Sequence, residues 1–317
     1  VFPMCPDCQR EYDDPRDRRF HAQPNACSIC GPHLELVDNQ GRAIPVEQDV
    51  ITTAAALLSD GNVLAIKGLG GFHIACDATN AKAISRLRAR KRRPTKPLAL
   101  MATEDMIRTH TAASDAELAR LSDPAAPIVL IARQDDLPKI IAPGFHELGW
   151  MLPCTPLHHL LLRNHFRALV MTSGNLSDEP QAIANADARQ RLGSIEDYLL
   201  LHDREIVNRV DDSVVRVING RERILRRARG YAPASLPLPA GFGKTPAILA
   251  LGGELKNSFC LVHHGEAILS QHMGDLEDFS TFGDYLKNLD LYARLYRHEP
   301  DIIAIDAHPD YLSSKHG

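Results

Sequence analysis

The chain has 317 residues, of which 44% are hydrophobic and 24% charged, with a formal net charge of −4. That balance belongs to an ordinary globular protein with room for two domains, and it excludes wholesale disorder and nucleic-acid binding through bulk positive charge. No apolar run is long enough to span a bilayer, so no membrane association is expected.

The chain opens Val-Phe-Pro-Met-Cys, without an initiator Met or a signal-peptide pattern, and reads as a cut from a longer protein. Cys5-x2-Cys8 and Cys27-x2-Cys30 follow, separated by 18 residues. Two such chelating loops can place four thiolates tetrahedrally around one Zn²⁺. A site closed by four cysteines keeps no position open for substrate, so a structural zinc unit over residues 1–45 is expected, with the chemistry downstream. Cys76, Cys154 and Cys260 stand alone and read as small buried hydrophobes. Cysteines used for metal rather than as a disulfide framework suit a reducing, cytoplasmic location.

Over residues 46–232 the pattern alternates. Val50–Ser59 reads as a helix stopped by Gly61, and Val63–Ile66 as a strand running into Lys67-Gly68-Leu69-Gly70-Gly71. Asn80 caps a predicted helix reaching about Lys91, with Ala81, Ile84, Leu87 and Arg88 on one side. Leu98–Met101, Ile128–Ala132, Leu148–Leu152 and Leu169–Thr172 are strand candidates, and Asp115–Leu121, Pro156–His165 and Ala184–Leu192 helical ones. Val214–Ile218 and Ile224–Arg227 flank Asn219-Gly220, a hairpin turn signal. The alternation predicts a mixed α/β domain on a twisted sheet. Four prolines between Tyr231 and Pro246 predict a semi-rigid linker, placed over 233–246. A second unit, 247–317, follows with strands over Ala247–Leu251, Ser258–His263 and Ala267–Gln271, a helix over Thr281–Arg297 and a strand Ile302–Ile305. It is short for a β-β-β-α-β unit to close its own core and reads as the first part of a domain.

Several segments offer chemistry, each with a plainer reading beside it. The run Arg90-Lys91-Arg92-Arg93-Pro94-Thr95-Lys96-Pro97-Leu98 can neutralise a triphosphate, or be a solvated helix face or nucleic-acid patch. The Lys67–Gly71 loop lets backbone approach an anion, or makes a turn; it matches no Walker or dinucleotide fingerprint. Thr172-Ser173-Gly174-Asn175 puts hydroxyls, an amide and free N–H groups at the end of a strand, a ligand position or a turn. Asp211-Asp212-Ser213 can hold Mg²⁺ or pair with arginines such as those of Arg226–Gly230. His158-His159 and His263-His264 have no ligand spacing around them and read as structural or exposed.

Taken in order along the chain, Lys67-Gly68-x-Gly70-Gly71-Phe72-His73, Lys91-x-Arg93-x-x-Lys96-Pro97-Leu98, Thr172-Ser173-Gly174-Asn175 and Asp211-Asp212-Ser213-Val214-Val215-Arg216 resemble the YrdC-like domain of the HypF family of hydrogenase-maturation carbamoyltransferases. Met151-Leu152-Pro153-x-Thr155-Pro156-Leu157-His158 and Leu225–Pro233 agree with that family, and the double CxxC unit resembles the second of its paired zinc fingers. Gly252-Gly253-Glu254-Leu255-Lys256-Asn257 and Ser270-Gln271-His272-x-Gly274-Asp275-Leu276 resemble the opening of its actin/hexokinase-like (ASKHA) ATPase domain.

The resemblance implies an α/β architecture: a four-cysteine zinc-finger unit, a YrdC-like twisted mixed sheet with helices, and the N-terminal part of an ASKHA-like carbamoyl-transfer domain. It implies formation of carbamoyl-adenylate from ATP, with Mg²⁺, and carbamate derived from carbamoyl phosphate. The carbamoyl group would then pass to the C-terminal cysteine of the partner HypE for cyanide-ligand synthesis. By the same resemblance Lys91, Arg93 and Lys96 hold ATP phosphates, and Ser173 and Asn175 close around the nucleotide. Lys67 and His73 border the acyl-acceptor pocket, and Ser213 with Arg226 or Arg229 completes the anion wall. Lys67, Lys91 and Arg93 are the expected catalytic residues. The family's acylphosphatase-like front domain and first finger are not in this sequence, so the complete reaction is not expected of it. Two other readings remain: a threonylcarbamoyl-adenylate synthase or O-carbamoyltransferase relative, and a non-enzymatic module binding double-stranded RNA. The last is disfavoured by 5% aromatic content with none interleaved in the basic run.

Overall fold

A computed structural model describes residues 3–46, 48–134, 136–163, 166–176 and 179–317. Pro6, whose fixed φ suits a first helical position, starts α1 (Pro6–Asp13) directly after Cys5. The rest of the cysteine unit is turns, and it leads into β1 (Leu34–Asp38).

The central domain grows from strands that alternate between two apolar layers. In β2 (Leu64–Lys67), Leu64 and Ile66 face one layer and Ala65 the other. In β3 (Phe72–Asp77), Phe72, Ile74 and Cys76 face the layer of Ala65, and Ala75 faces that of Leu64. β4 (Leu100–Met101), β5 (Ile128–Ala132), β6 (Glu147–Met151), β7 (Leu169–Ser173), β8 (Tyr198–His202), β9 (Val214–Ile218) and β10 (Arg221–Arg226) complete a ten-stranded mixed sheet of order β1-β8-β2-β3-β7-β4-β6-β5-β9-β10. Because both faces are covered, the middle strands read as continuous apolar runs. One face packs on α2 (Val50–Ser59) and α6 (Pro156–Leu162), the other on α3 (Ala81–Arg90), α4 (Glu104–His110), α5 (Asp115–Leu121) and α7 (Asn185–Leu192).

Local signals decide many boundaries. The Asn80 side chain accepts from Lys82 N and Ala83 N at the start of α3, and Ser114 with Glu117 forms a capping box on α5. Asn219 and Gly220 adopt φ of 51° and 70°, the turn that matches strand twist between β9 and β10. The buried face of α3 is Ala83, Ile84, Leu87 and Arg88, so Ala83 takes the place expected of Ala81. The helix expected over Pro156–His165 runs to Leu162; its expected last residues, Asn164 and His165, lie outside the described residues. β1, β3, β8, α1 and α4 are additional to the elements read from sequence.

The proline-rich segment is more than a linker: Leu236–Pro237 forms β11 on the edge of a second sheet, where a missing N–H is tolerated. That sheet has the order β11-β14-β13-β12-β15, with β12 (Ile248–Ala250), β13 (Cys260–His263), β14 (Glu266–Leu269) and β15 (Ile302–Ala304). α8 (Phe279–Tyr296) is the crossover to the parallel strand β15, and its Tyr285, Leu289 and Tyr292 close a small core with Leu251, Phe259 and Leu261. α9 (Leu312–His316) ends the chain. Among the described residues no helix is long and apolar enough to cross a membrane.

One buried acid makes the fold pH-sensitive. Glu196, just before β8, is 1% exposed, and both its carboxyl oxygens lack a hydrogen-bond partner. Burial raises its pKa from 4.5 to about 7, so the fold holds it protonated where the unfolded chain would ionise it. Below pH about 4.5 both states are protonated and no penalty arises; as pH rises through about 7 the folded state comes to carry a buried carboxylate. Glu196→Gln should therefore gain stability relative to the parent by about 2–3 kcal/mol between pH about 4.5 and 8. Denaturant midpoints across that range check it, and a difference independent of pH would refute it.

Candidate functional site

A cleft of about 360 Å³ opens where the central sheet meets the second unit. One wall is the segment after α3, which brings Arg93 and Lys96 to the cleft ahead of β4. The end of β7 supplies Thr172, Ser173 and Asn175, and the segment before β9 supplies Arg209, Asp211 and Asp212. Arg226 enters from β10, and Lys256, His272 and Asp284 come from the second unit.

The cationic wall is held by hydrogen bonds that leave it facing the cleft. Arg93 donates from Nη1 to Thr172 Oγ1 at 3.0 Å and from Nη2 to Pro97 O at 2.6 Å. Burial, with Arg88 and Arg226 nearby, pulls its pKa down to about 10, so it stays charged at neutral pH. Lys91 lies behind this wall, 1% exposed. Its Nζ donates to Ser173 O, to Asn175 O at 2.7 Å and to Asn175 Oδ1 at 2.8 Å, three acceptors that match the three donors of an ammonium. Burial, then Arg93 and Lys96, lowers its pKa to about 7. Lys91 thus shapes the Ser173–Asn175 turn from behind. Ser173 Oγ also donates to Asn175 Oδ1, at 2.6 Å.

The two adjacent acids are already engaged. Asp211 accepts from Gln181 Nε2 at 2.8 Å and lies 3.0 Å from His272 Nδ1, with Arg226 Nη1 at 3.8 Å. Burial opposes its ionisation, but His272 and Arg226 outweigh that and keep its pKa low. Asp212 faces His73 Nε2 at 3.3 Å and accepts from Arg229 Nη2 at 2.8 Å. Against burial, these two hold its carboxyl well below the usual range. His158, edge-on to His73, is pushed by burial down to about 3 and stays neutral.

Of the residues singled out in the sequence, Arg93, Lys96, Ser173, Asn175 and Arg226 come together around the cleft. Five others lie beside or behind it. Lys67 is buried and donates to His202 O at 3.0 Å. His73 and Lys91 brace cleft residues as described. Ser213 clasps two backbone groups, donating to Arg229 O at 2.9 Å and accepting from Ala228 N at 2.8 Å. Arg229 holds Ala125 O and Ala126 O as well as Asp212. Arg209, Gln181 and His272 were not singled out as individual site residues. The Asp-Asp-Ser signal lies two residues beyond Arg209, while Gln181 reaches Asp211 only through the fold and His272 reaches the cleft only because the second unit packs there. In the Lys67–Gly71 loop, a Cβ on Gly70 would lie 2.3 Å from Val210 Cγ1 and one on Gly71 2.1 Å from Gln181 Oε1. Close backbone packing against the cleft's own strap is what those glycines permit. Within the basic run Lys91 points inward and Arg93 is half-buried, while Arg92 and Lys96 are exposed to solvent.

In the N-terminal unit the four cysteine sulfurs lie within 4.8 Å of one another, with Cys5–Cys27 at 3.6 Å and Cys27–Cys30 at 3.8 Å. A tetrahedral zinc with arms of about 2.3 Å needs sulfurs about 3.8 Å apart, so the donor set fits that ion. Backbone N–H groups around Cys27 and Cys30 lower both thiols, Cys30 to about 6. Burial, then the neighbouring sulfurs, raises Cys8, a crowding of charge that a dication relieves. His33 ties this unit to the central domain, with its N–H donating to Asp203 Oδ1 at 2.9 Å.

Comparison with known proteins covers the whole chain. Residues 4–37 match the family described as HypF finger, 56–228 the Sua5/YciO/YrdC family described as telomere recombination, and 243–317 the HypF Kae1-like domain. The carbamoyltransferase HypF of Rhodobacter capsulatus is 54% identical over 100% of this chain and 42% of its own length. That of Synechocystis is 46% identical over 98% of this chain and 47% of its own. A crystal structure of full-length HypF in the phosphate- and nucleotide-bound form superposes with a TM-score of 0.91 at 43% identity, covering 100% of this chain and 41% of that one. The chain therefore spans less than half the length of these relatives.

The cysteine geometry makes a direct prediction. The purified protein should carry about one zinc per chain by elemental analysis, and Cys27→Ser should lose it while the central domain keeps its far-ultraviolet spectrum. Full zinc occupancy in that variant would rule out the four-sulfur site.

Proposed function

The chain belongs to the HypF family, with a central domain of the Sua5/YciO/YrdC type, and from that premise we propose that its cleft makes carbamoyl-adenylate. ATP and carbamate derived from carbamoyl phosphate are the substrates, and pyrophosphate leaves. The observation that carries this reading is that Arg93, Lys96 and Arg226 line one cleft together with Ser173 and Asn175. Carbamate oxygen attacks the α-phosphorus, and negative charge grows on the departing pyrophosphate. Fixed cations stabilise that charge, so the protein need form no covalent intermediate. Arg93 and Arg226 offer planar forks for phosphate oxygens, and Lys96 a point charge. Ser173 and Asn175 bound the nucleotide side, their turn shaped by Lys91. Asp211 and Asp212 are committed to His272, Gln181, His73 and Arg229, so Mg²⁺ would ride mainly on the phosphates. Within the longer protein the product would pass its carbamoyl group to the cysteine of HypE in hydrogenase maturation. The cytoplasm is the proposed setting for that reaction.

ATP–pyrophosphate exchange tests the reading without any other domain, because ammonium bicarbonate solutions supply carbamate directly. Exchange should depend on ammonium and bicarbonate together and should not rise with threonine. Arg93→Ala should lower it by about 10²–10³-fold at unchanged thermal stability. Exchange at the parent rate in that variant, or stimulation by threonine, would count against carbamoyl-adenylate formation here.

A further inference from the structure

Arg88, in the last turn of α3, does not itself line the cleft, yet it is 5% exposed and densely bonded. Nε donates to Ile140 O at 2.6 Å and Nη2 to Ile141 O at 2.8 Å. Nη1 faces the carbonyls of Arg93 at 2.7 Å and of Pro94 and Lys96, each at 3.2 Å. Among the described residues no carboxylate pairs with it; five backbone oxygens replace the water it has lost. A buried guanidinium is tolerable only when its donors are met, and reciprocally these carbonyls depend on it.

The segment 93–97 is also spanned by the bond from Arg93 Nη2 to Pro97 O at 2.6 Å. Pro94 and Pro97 have no N–H to donate, and the segment forms neither helix nor strand. Its backbone bonds at the two ends are Arg93 N to Arg88 O and Leu98 N to Ile141 O, both 3.0 Å. Between them, the carbonyls gathered by Arg88 orient the peptide units that carry Arg93 and Lys96. Lys91, three residues on, lies on the same face of the helix end and braces the Ser173–Asn175 turn.

We infer that Arg88 is a positioning residue for the anion-binding wall: by collecting the carbonyls of residues 93, 94 and 96 it aims Arg93 and Lys96 into the cleft. The inference rests on the proposed polyphosphate chemistry of that cleft. A lysine cannot substitute, because three donors on one tetrahedral nitrogen do not reach oxygens spread around a plane.

The test is binding of inorganic tripolyphosphate, measured by calorimetry on the full chain, alongside melting temperature. Arg88→Lys keeps the charge and Arg88→Met keeps the volume; both should weaken binding by about tenfold or more. In Arg88→Ala, free guanidinium at concentrations far below denaturing should restore binding, and methylammonium should not. Exchange kinetics in Arg88→Lys should show a raised KM for ATP with kcat little changed. Parent-like binding in Arg88→Lys and Arg88→Met, or guanidinium that restores melting temperature without restoring binding, would overturn the positioning role. A parent protein that binds tripolyphosphate but exchanges no pyrophosphate would overturn only the functional reading. One that binds no polyphosphate would overturn both.

Discussion

Two basic side chains, Arg88 and Lys91, buried at the end of one helix, organise the cleft. Removing a guanidinium and an ammonium from water costs several kcal/mol each unless oxygen dipoles replace the lost hydration. The C-terminal end of α3 helps, since its own carbonyls favour nearby cations. The rest of the solvation is recruited from the segment that follows, 93–96, and from the distant 140–141 around Arg88, and from 173–175 around Lys91. Those are the segments that bound the cleft or support it. The demand to solvate buried charge thus becomes a constraint on where those three segments must lie.

This explains which parts of the molecule were legible from residue order. Cysteine spacing, the Asn80 cap, the Asn219-Gly220 turn and the alternation in β2 are local signals, and local geometry honoured them. β3 was hidden because Phe72-His73-Ile74-Ala75-Cys76-Asp77 mixes small and polar residues directly after a glycine-rich loop, which favours a loop reading. Arg88 was visible as a member of an apolar helix face, but arginine on such a face is ordinarily a stem whose head reaches solvent. Only the tertiary fold shows that the head has no route to water.

The site divides along the same line. Arg93, Lys96, Ser173 and Asn175 belong to short motifs and gather as those motifs suggest. Lys67, His73, Ser213 and Arg229 belong to equally recognisable motifs, yet they spend their hydrogen bonds on backbone and on Asp212. Motif membership and a place in the cleft lining are separable properties, because a motif must also build the frame around the cleft. His272 is the opposite case. It arrives from the second unit and ties Asp211 while its own N–H donates to Arg227 O at 2.8 Å, so the cleft is a joint product of two domains.

Gly70 and Gly71 press against Val210 and Gln181 with no room for even a methyl group. Val210 N in turn donates to Gly70 O at 3.0 Å, locking the strap that carries Asp211 and Asp212 to the sheet. In engineering terms this edge of the cleft is a datum surface, set at Gly70 by contact with the Val210 backbone. Any reshaping of the cleft for a different acyl group has to be cut into the facing wall, where side chains rather than backbone set the boundary.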